Sequence, residues 1–293
     1  MTMLSLLKIS LMIFIAGNLL EMGLKINLED ALKGLRNIRF VGYTLLWGFV
    51  LGPGLAYAIT LIIPLQPPHA LGLILLGMAP AAPFIPMFVN KAKGDLGFTA
   101  SFMVLVSIGT VIFMPIAVPL MAKGLSVSHW TIAKPLVLII LLPMAVGMLV
   151  LRLNKILAWK LNPIAKKTTV VFAVITVLLS IIVFGEGLLE VRGTYAIASL
   201  IIFFVVITTF SYWFSFGLRH EQKIILSIGM STRNLGASVA PLLSIAELDQ
   251  RTIIMVVMAL PLMLISPLLA IKYFGHLASK VESGLKHTAP RDV

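Results

Sequence analysis

A single arginine, Arg233, interrupts an otherwise apolar stretch in the C-terminal half of the sequence. It lies in GMSTRNLGASVAP, a polar run that also carries glycine and proline. A guanidinium keeps its charge at any ordinary pH, and its burial at hydrocarbon depth costs from a few to roughly ten kcal/mol or more. Arg233 is therefore expected to face a cavity, a partner or a ligand, which indicates a functional site inside a helical membrane bundle.

Two apolar segments carry helix-breaking residues at their centres. The first break is GMAPAAPFIP, residues 77–86, and the second runs from Gly229 to Pro241. Proline removes a backbone donor and glycine loosens the turn, so we expect both helices to unwind in mid-membrane and to leave carbonyls and amides unpaired. Half-helix ends of this kind form the ion and substrate sites of transporters. The candidate substrate- or ion-binding residues are Pro80, Ala81, Ala82, Pro83, Pro86, Ser107, Thr110, Ser227, Ser231, Thr232, Arg233 and Asn234.

Glu21 is the only acidic residue inside a predicted span, and it lies near the end of the first one. A buried carboxylate there is a candidate for proton coupling. A carboxylate close enough to the interface to be hydrated is an equally good interpretation. The histidines have no metal-ligand spacing and the chain has no cysteine, so neither a metal site nor a cofactor is expected.

Composition places the chain among polytopic membrane proteins, with the lipid bilayer as its first partner. Hydrophobic residues make up 59% of the chain and charged residues 12%, and the mean hydropathy is +1.06. The net charge of +12 is spread over short loops, which argues against nucleic-acid binding. The sequence has no zinc-hydrolase motif, nucleophile elbow or P-loop, so an enzyme is not expected.

Nine apolar segments approach the length of about 20 residues that a helix needs to cross hydrocarbon. Their limits are 4–24, 40–63, 70–90, 96–121, 132–151, 168–185, 194–215, 224–244 and 252–273. The tail after Tyr273 looks disordered. We therefore predict one all-α transmembrane domain over residues 1–274 and a cytoplasmic tail over 275–293.

The basic residues predict the orientation. Seventeen of the 23 fall in one set of alternate loops and four in the opposite set, and cytoplasmic loops carry the excess of lysine and arginine. This distribution predicts an external N-terminus and a cytoplasmic C-terminus, and we expect a bacterial inner (plasma) membrane.

The two breaks also predict an inverted repeat. They lie five segments apart, an odd number, so the broken helices cross the bilayer in opposite directions. A repeat of five plus five helices that lacks its first member gives four plus five, which accounts for the odd number of spans. The alternative is that glycine and proline merely kink packed helices.

Several strings resemble the bile acid:sodium symporter family. MGLKINLEDALKGLRN is similar to the Met-Gly-Leu turn and charged cytoplasmic loop after its second helix, and GFVLGPGLAY is similar to its third helix. Gly77 to Asp95 resembles its first broken helix, with Pro80 matching, and the second break keeps Gly229 and Met230. The resemblance runs from about Leu11 to Tyr273. It implies a core of residues 40–121 and 194–273 that moves against a panel of residues 4–24 and 132–185, with substrate where the broken helices cross. Loss of the front helix weakens the panel and predicts a homodimer that completes it.

The sequence departs from that family at the sodium ligands. The resemblance implies that carboxylate, amide and hydroxyl oxygens bind two sodium ions at the crossing. The equivalent positions here hold Ile85, Pro86, Ser227, Ser231 and Thr232, with Arg233 next in the chain. Because a sodium ion tolerates a neighbouring cation badly, we expect Arg233 to act as a fixed positive charge in its place, so that sodium is not a partner.

A fixed cation predicts that the substrate is a small organic anion, such as a carboxylate or an oxyanion. Three alternatives stay open. Arg233 could pair with Asp95, with a carbonyl at the end of the first broken helix, or with the interface. The protein could be a sodium-coupled symporter with a rearranged ion site. It could also be a membrane sensor that binds a ligand without transporting it.

Overall fold

The computed structural model describes residues 3–26, 28–81, 85–92, 94–121, 128–191, 193–244 and 249–288, and their regular secondary structure is helical. The helices, in chain order, are α1 Met3–Gly23, α2 Leu28–Leu35, α3 Ile38–Ile62, α4 Pro67–Met78, α5 Ile85–Lys91, α6 Leu96–Met121, α7 His129–Leu153, α8 Lys155–Glu190, α9 Ala196–Trp213, α10 His220–Met230, α11 Leu235–Val239, α12 Gln250–Val257 and α13 Ala259–Thr288. A 3-10 turn, Ala240–Ser244, follows α11.

Seven helical stretches within the described residues are long and apolar enough to cross a membrane. They are α1, α3, α6, α7, α8, α9 and the nearly continuous pair α12–α13. Nine segments were predicted, and the two that do not qualify are the ones predicted to be broken. Residues 70–90 divide into α4 and α5, and residues 224–244 divide into α10, α11 and the 3-10 turn. Each piece is shorter than one bilayer crossing.

Three stretches expected to be loop or tail are helical instead. The loop between the fifth and sixth segments is reduced to Asn154, because α8 begins at Lys155 rather than near residue 168. Its first turns are stabilised by Ala158 and Ala165, which are buried against Leu24. The short helix α2 lies in the charged loop after α1 and packs against α6, where the Ser101 hydroxyl donates to the Ala31 carbonyl at 2.6 Å.

The third is the tail, where the predicted disorder is wrong for residues 275–288. The backbone of α13 stays helical through Thr288. Apolar residues recur every fourth position there, at Leu277, Val281 and Leu285, and this spacing favours one apolar helix face.

Helices α1, α7 and α8 pack together, while α4 packs against α3 and α12, and α10 packs against α9 and α13. Glycine allows the closest contact, between α1 and α7. A Cβ atom on Gly23 would lie 2.2 Å from the Met144 carbonyl oxygen, and one on Gly147 would lie 2.6 Å from the Leu20 carbonyl oxygen. Only glycine at both positions lets the two backbones approach this far.

Candidate functional site

Helix α4 stops in the middle of the bundle because its last residues cannot continue the helical hydrogen-bond pattern. It begins at Pro67 and ends at Met78, and Ala79 leaves the helical conformation at φ −113° and ψ 72°. Pro80 follows without a backbone N–H, and Ala81 has a φ of 69°, in the left-handed region that alanine rarely adopts. The predicted site residues Ala82 and Pro83 lie outside the described residues.

The second break has a similar build. Helix α10 ends at Met230, and Ser231 and Thr232 form a turn before the chain re-enters a helix. Asn234 caps α11, since its side-chain oxygen accepts a hydrogen bond from the Ala237 N–H at 3.1 Å. Asparagine is among the preferred residues at this position.

The two breaks meet and satisfy each other's backbone groups. Pro80 and Arg233 form an isolated antiparallel bridge. The Ala81 N–H donates to the Thr232 carbonyl at 3.1 Å, and the Asn234 N–H donates to the Ala79 carbonyl at 2.9 Å. We call residues 79–81 and 232–234 the crossing. Since unpaired backbone groups cost several kcal/mol each in hydrocarbon, this mutual pairing makes two interrupted helices tolerable side by side.

Side chains from the second break also reach the end of α4. The last carbonyls of a helix have no partner within the helix. The Ser238 hydroxyl donates to the Leu75 carbonyl at 3.4 Å, and an Arg233 guanidinium nitrogen, Nη1, donates to the Gly77 carbonyl at 3.4 Å. The negative end of the α4 dipole therefore faces the positive charge of Arg233.

Arg233 is sealed inside the protein. Its exposed fraction is 0%, and its guanidinium carbon lies 4.8 Å from the centre of the Phe203 ring on α9. Within the part of the chain that the structure describes, its Nε and Nη2 atoms have no hydrogen-bond partner. A buried guanidinium with one long hydrogen bond and one aromatic face is poorly compensated, and two of its nitrogens are left to donate to a ligand.

The structure supports one of the three alternatives for Arg233 and not the other two. The carbonyl at the end of the first broken helix is a partner, as the Gly77 contact shows. Asp95 instead caps α6, where its carboxylate accepts hydrogen bonds from the N–H groups of Gly97 and Phe98 at 2.7 and 3.1 Å. The interface is not reached, because the side chain has no exposed surface.

Glycine keeps the neighbouring helices close to the crossing. A Cβ atom on Gly77 would lie 2.6 Å from the Ala56 Cβ, and one on Gly229 would lie 2.2 Å from the Phe102 ring. A Cβ atom on Gly52 would lie 3.6 Å from Arg233 Nη1. Larger residues at these positions would move α3, α4 or α6 away from the buried charge.

The other predicted site residues are buried apart from Pro86, and most of their hydroxyls donate to backbone carbonyls. The Ser231 and Thr232 hydroxyls donate to backbone carbonyls of α10, at 2.8 and 3.0 Å, and Ser227 donates to the Thr208 carbonyl on α9 at 2.7 Å. Thr110 donates to Val106 within α6 at 2.7 Å. Ser107 is buried on the same helix, and Pro86 is half-buried at the start of α5.

Sequence reasoning missed Ser238, Phe203 and Gly52. Ser238 had a signal, since it follows Asn234 by four residues and so shares its face of a helix. Nothing in the sequence connects Phe203 or Gly52 with Arg233, because their proximity arises only when α9 and α3 pack against the crossing.

Glu21 lies in the last turn of α1, apart from the crossing. Its carboxylate forms an ion pair of 2.5 Å with Lys25, and the Glu21 and Lys25 side chains are 14% and 51% exposed. A partly exposed pair four residues apart is ordinary at a helix end, which favours the hydrated interpretation. We expect Glu21→Gln to transport with an unchanged pH profile. A flattened profile in proteoliposomes, with Lys25→Gln as the matched control, would instead restore the proton-coupling role.

The described residues form a helical bundle with seven apolar spans and a buried charge where two interrupted helices meet. This is the architecture of a membrane carrier. The model of the Sodium Bile acid symporter family matches residues 11–191, more than half of the chain, and the protein belongs to this family of membrane transporters. The matched stretch contains the first break and ends before Arg233.

A similar protein is the "Probable sodium/metabolite cotransporter BASS2, chloroplastic" of Oryza sativa subsp. japonica. It is 26% identical over 232 residues, which cover 74% of this chain and 53% of the relative. The chain thus spans about half the length of that relative.

Proposed function

We propose that this protein is a secondary carrier of a small organic anion, and that its transport does not depend on sodium. The observation that carries the proposal is the buried guanidinium of Arg233 at the point where the two broken helices meet. Two of its nitrogens have no hydrogen-bond partner among the residues that the structure describes. A fixed positive charge attracts a carboxylate or oxyanion and repels a cation from the same place.

The transport mechanism we propose is alternating access of a core against a panel. The seven spans and the two interrupted segments would together cross the membrane nine times, as four plus five helices of an inverted repeat. Packing of α1, α7 and α8 on one another supports a panel made of these helices. Substrate bound near the crossing would then be exposed first to one side and then to the other by rigid-body motion, with a second protomer completing the panel.

In its present conformation the crossing is closed, since Arg233 has no exposed surface. The neighbours described for the guanidinium, Gly52, Gly77 and Phe203, lie on helices of the proposed core. An anion therefore needs a conformational change that opens the core around Arg233 before it reaches the Nε and Nη2 atoms. Three hydrogen bonds join the two breaks, from Ala81 to Thr232, from Asn234 to Ala79 and from Arg233 to Gly77. These bonds favour movement of the two breaks as one unit.

A second candidate is sodium-coupled transport with a rearranged ion site. It is favoured by the hydroxyls of Ser227, Ser231 and Thr232, whose protons are already donated to carbonyls, so that they offer lone pairs as a cation prefers. The name of the rice relative, a probable sodium/metabolite cotransporter, points the same way.

Uptake by the purified protein in liposomes distinguishes sodium-independent transport from sodium-coupled transport. We expect uptake of a radiolabelled substrate anion to proceed at the same rate when choline replaces sodium on both sides of the membrane, because Arg233 already supplies the charge. Uptake that rises with an inward sodium gradient would contradict the proposal and favour the second candidate. Specific binding without uptake would identify a sensor on a carrier scaffold.

A further inference from the structure

Residues 152–167, which we call the basic segment, carry a dense positive charge. They comprise the last two residues of α7, Asn154 and the first turns of α8. The basic residues of this segment are Arg152, Lys155, Lys160, Lys166 and Lys167, all of them exposed. The sequence has no acidic residue between Asp95 and Glu186 to neutralise them, and no acidic side chain among the described residues pairs with them.

The basic segment also exposes large apolar side chains. Trp159 is 78% exposed, Ile156 71% and Ile164 62%. The opposite face is anchored, because Ala158 and Ala165 are buried against Leu24 of the α1 end. Exposed tryptophan and isoleucine interleaved with lysine are typical of a helix that lies at the boundary between lipid and water.

Helix length places the basic segment at that boundary. The 36 residues of α8 would extend about 54 Å at 1.5 Å per residue, whereas the hydrocarbon core is about 30 Å thick. The apolar end from Val170 onward can span the core, so the lysine-rich first turns emerge among the headgroups. The charge distribution predicts that these first turns lie on the cytoplasmic side, which holds most of the basic residues.

A groove runs along α8 from the basic segment toward the apolar turns. Its volume is about 420 Å³, and it is lined by Pro163, Ile164, Lys167, Thr168, Val171 and Phe172. Lys160 lies seven residues before Lys167 and so on the same face of the helix. The groove therefore has the Lys167 ammonium group in its lining, Lys160 two turns before it on the same helix face, and an apolar wall that continues along the helix.

We propose that this groove binds an anionic phospholipid, with the headgroup phosphate against Lys160 and Lys167 and an acyl chain along Ile164, Val171 and Phe172. Clusters of lysine and arginine next to a membrane helix attract anionic lipids. Charge also argues against a second copy of this chain in the groove, since five unneutralised cations would face five others across a two-fold axis. The lipid site does not depend on the proposed transport function, so a negative transport result would not contradict it.

Native mass spectrometry of the full chain in detergent tests this, with phosphatidylglycerol and phosphatidylcholine of identical acyl chains as the two probes. We expect the native protein to bind phosphatidylglycerol more tightly. The double variant Lys160→Gln/Lys167→Gln should lose about 25-fold in phosphatidylglycerol affinity, since each lysine near an anionic lipid contributes about fivefold. Its phosphatidylcholine binding should not change.

The matched control is Lys155→Gln/Lys166→Gln, which removes the same charge from the same helix but at positions off the helix face that Lys160 and Lys167 share. We expect it to keep most of the phosphatidylglycerol preference. Equal losses in the two double variants would mean diffuse surface attraction and would overturn the site, as would equal affinity of the native protein for the two lipids. A dimer that excludes lipid from this face would overturn it as well.

Discussion

Replacing Arg233 with methionine should abolish anion binding and transport and yet leave the protein folded. Methionine fills a similar space without the charge, and replacement of a poorly compensated buried ion by an apolar side chain is often neutral or stabilising. Arg233 meets this description, with one hydrogen bond of 3.4 Å and an exposed fraction of 0%. A substrate anion would lose its only fixed counter-charge, so affinity should fall at least about 30-fold, which corresponds to about 2 kcal/mol.

Two control variants separate charge from packing at this position. Arg233→Lys keeps the charge but loses the planar fork that reaches Gly77 and stacks on Phe203, so we expect intermediate binding. Ser238→Ala removes the neighbouring donor to α4 and should retain transport. A sharp drop in the melting temperature of Arg233→Met, or full transport by it, would show that the guanidinium serves the fold rather than the substrate.

Substituting Gly77 with alanine should destabilise the protein by up to about 2 kcal/mol net, since overpacking a tight core usually costs about 1–3 kcal/mol. The added methyl group would lie 2.6 Å from the Ala56 Cβ and 3.1 Å from the Gly52 carbonyl oxygen. Alanine favours a helix over glycine by about 1 kcal/mol, so the steric cost exceeds the gain. The end of α4 would move from α3 and carry the Gly77 carbonyl away from Arg233, with loss of transport.

Gly54→Ala is the matched control for this prediction. It lies on the same helix as Ala56, and a Cβ atom there would meet nothing within 4 Å, so we expect a melting temperature equal to or slightly above that of the native protein. Ala56→Gly should restore stability and transport to Gly77→Ala, because it removes the opposing methyl group. If the double variant were no better than Gly77→Ala alone, close packing of α3 and α4 would not be the cause.

Much of the framework could be predicted from local signals. Glycine and proline at 77–86 and 229–241 identified the two breaks, because these residues prevent a continuous helix whatever surrounds them. The charge of Arg233 also indicated an interior site. Where α8 begins could not be predicted from hydropathy, since its first turns are rich in lysine and are held by Ala158 and Ala165 packing on another helix.

The sequence offered a carbonyl at the end of the first broken helix as one of three alternatives for Arg233, but it could not choose among them for the same reason. Gly77 is 156 residues away in the chain, and only the antiparallel pairing of the two breaks brings its carbonyl within reach. The hydroxyl residues were predicted as candidate ligands, but the sequence did not indicate that Ser227 donates to the Thr208 carbonyl on α9. Local spacing predicts that such groups are buried, whereas their hydrogen-bond partners depend on how distant helices pack.

The most direct measurement is the thermal unfolding of the purified protein with a panel of small organic anions, in sodium and in choline buffer, for the native chain and for Arg233→Met. A ligand at a hundred times its dissociation constant stabilises the folded state by about 2.7 kcal/mol. If Arg233 replaces the sodium ions, at least one anion will raise the melting temperature of the native protein equally in both buffers and will have no effect on Arg233→Met. Stabilisation that appears only with sodium, or that persists without the arginine, would contradict this role for Arg233.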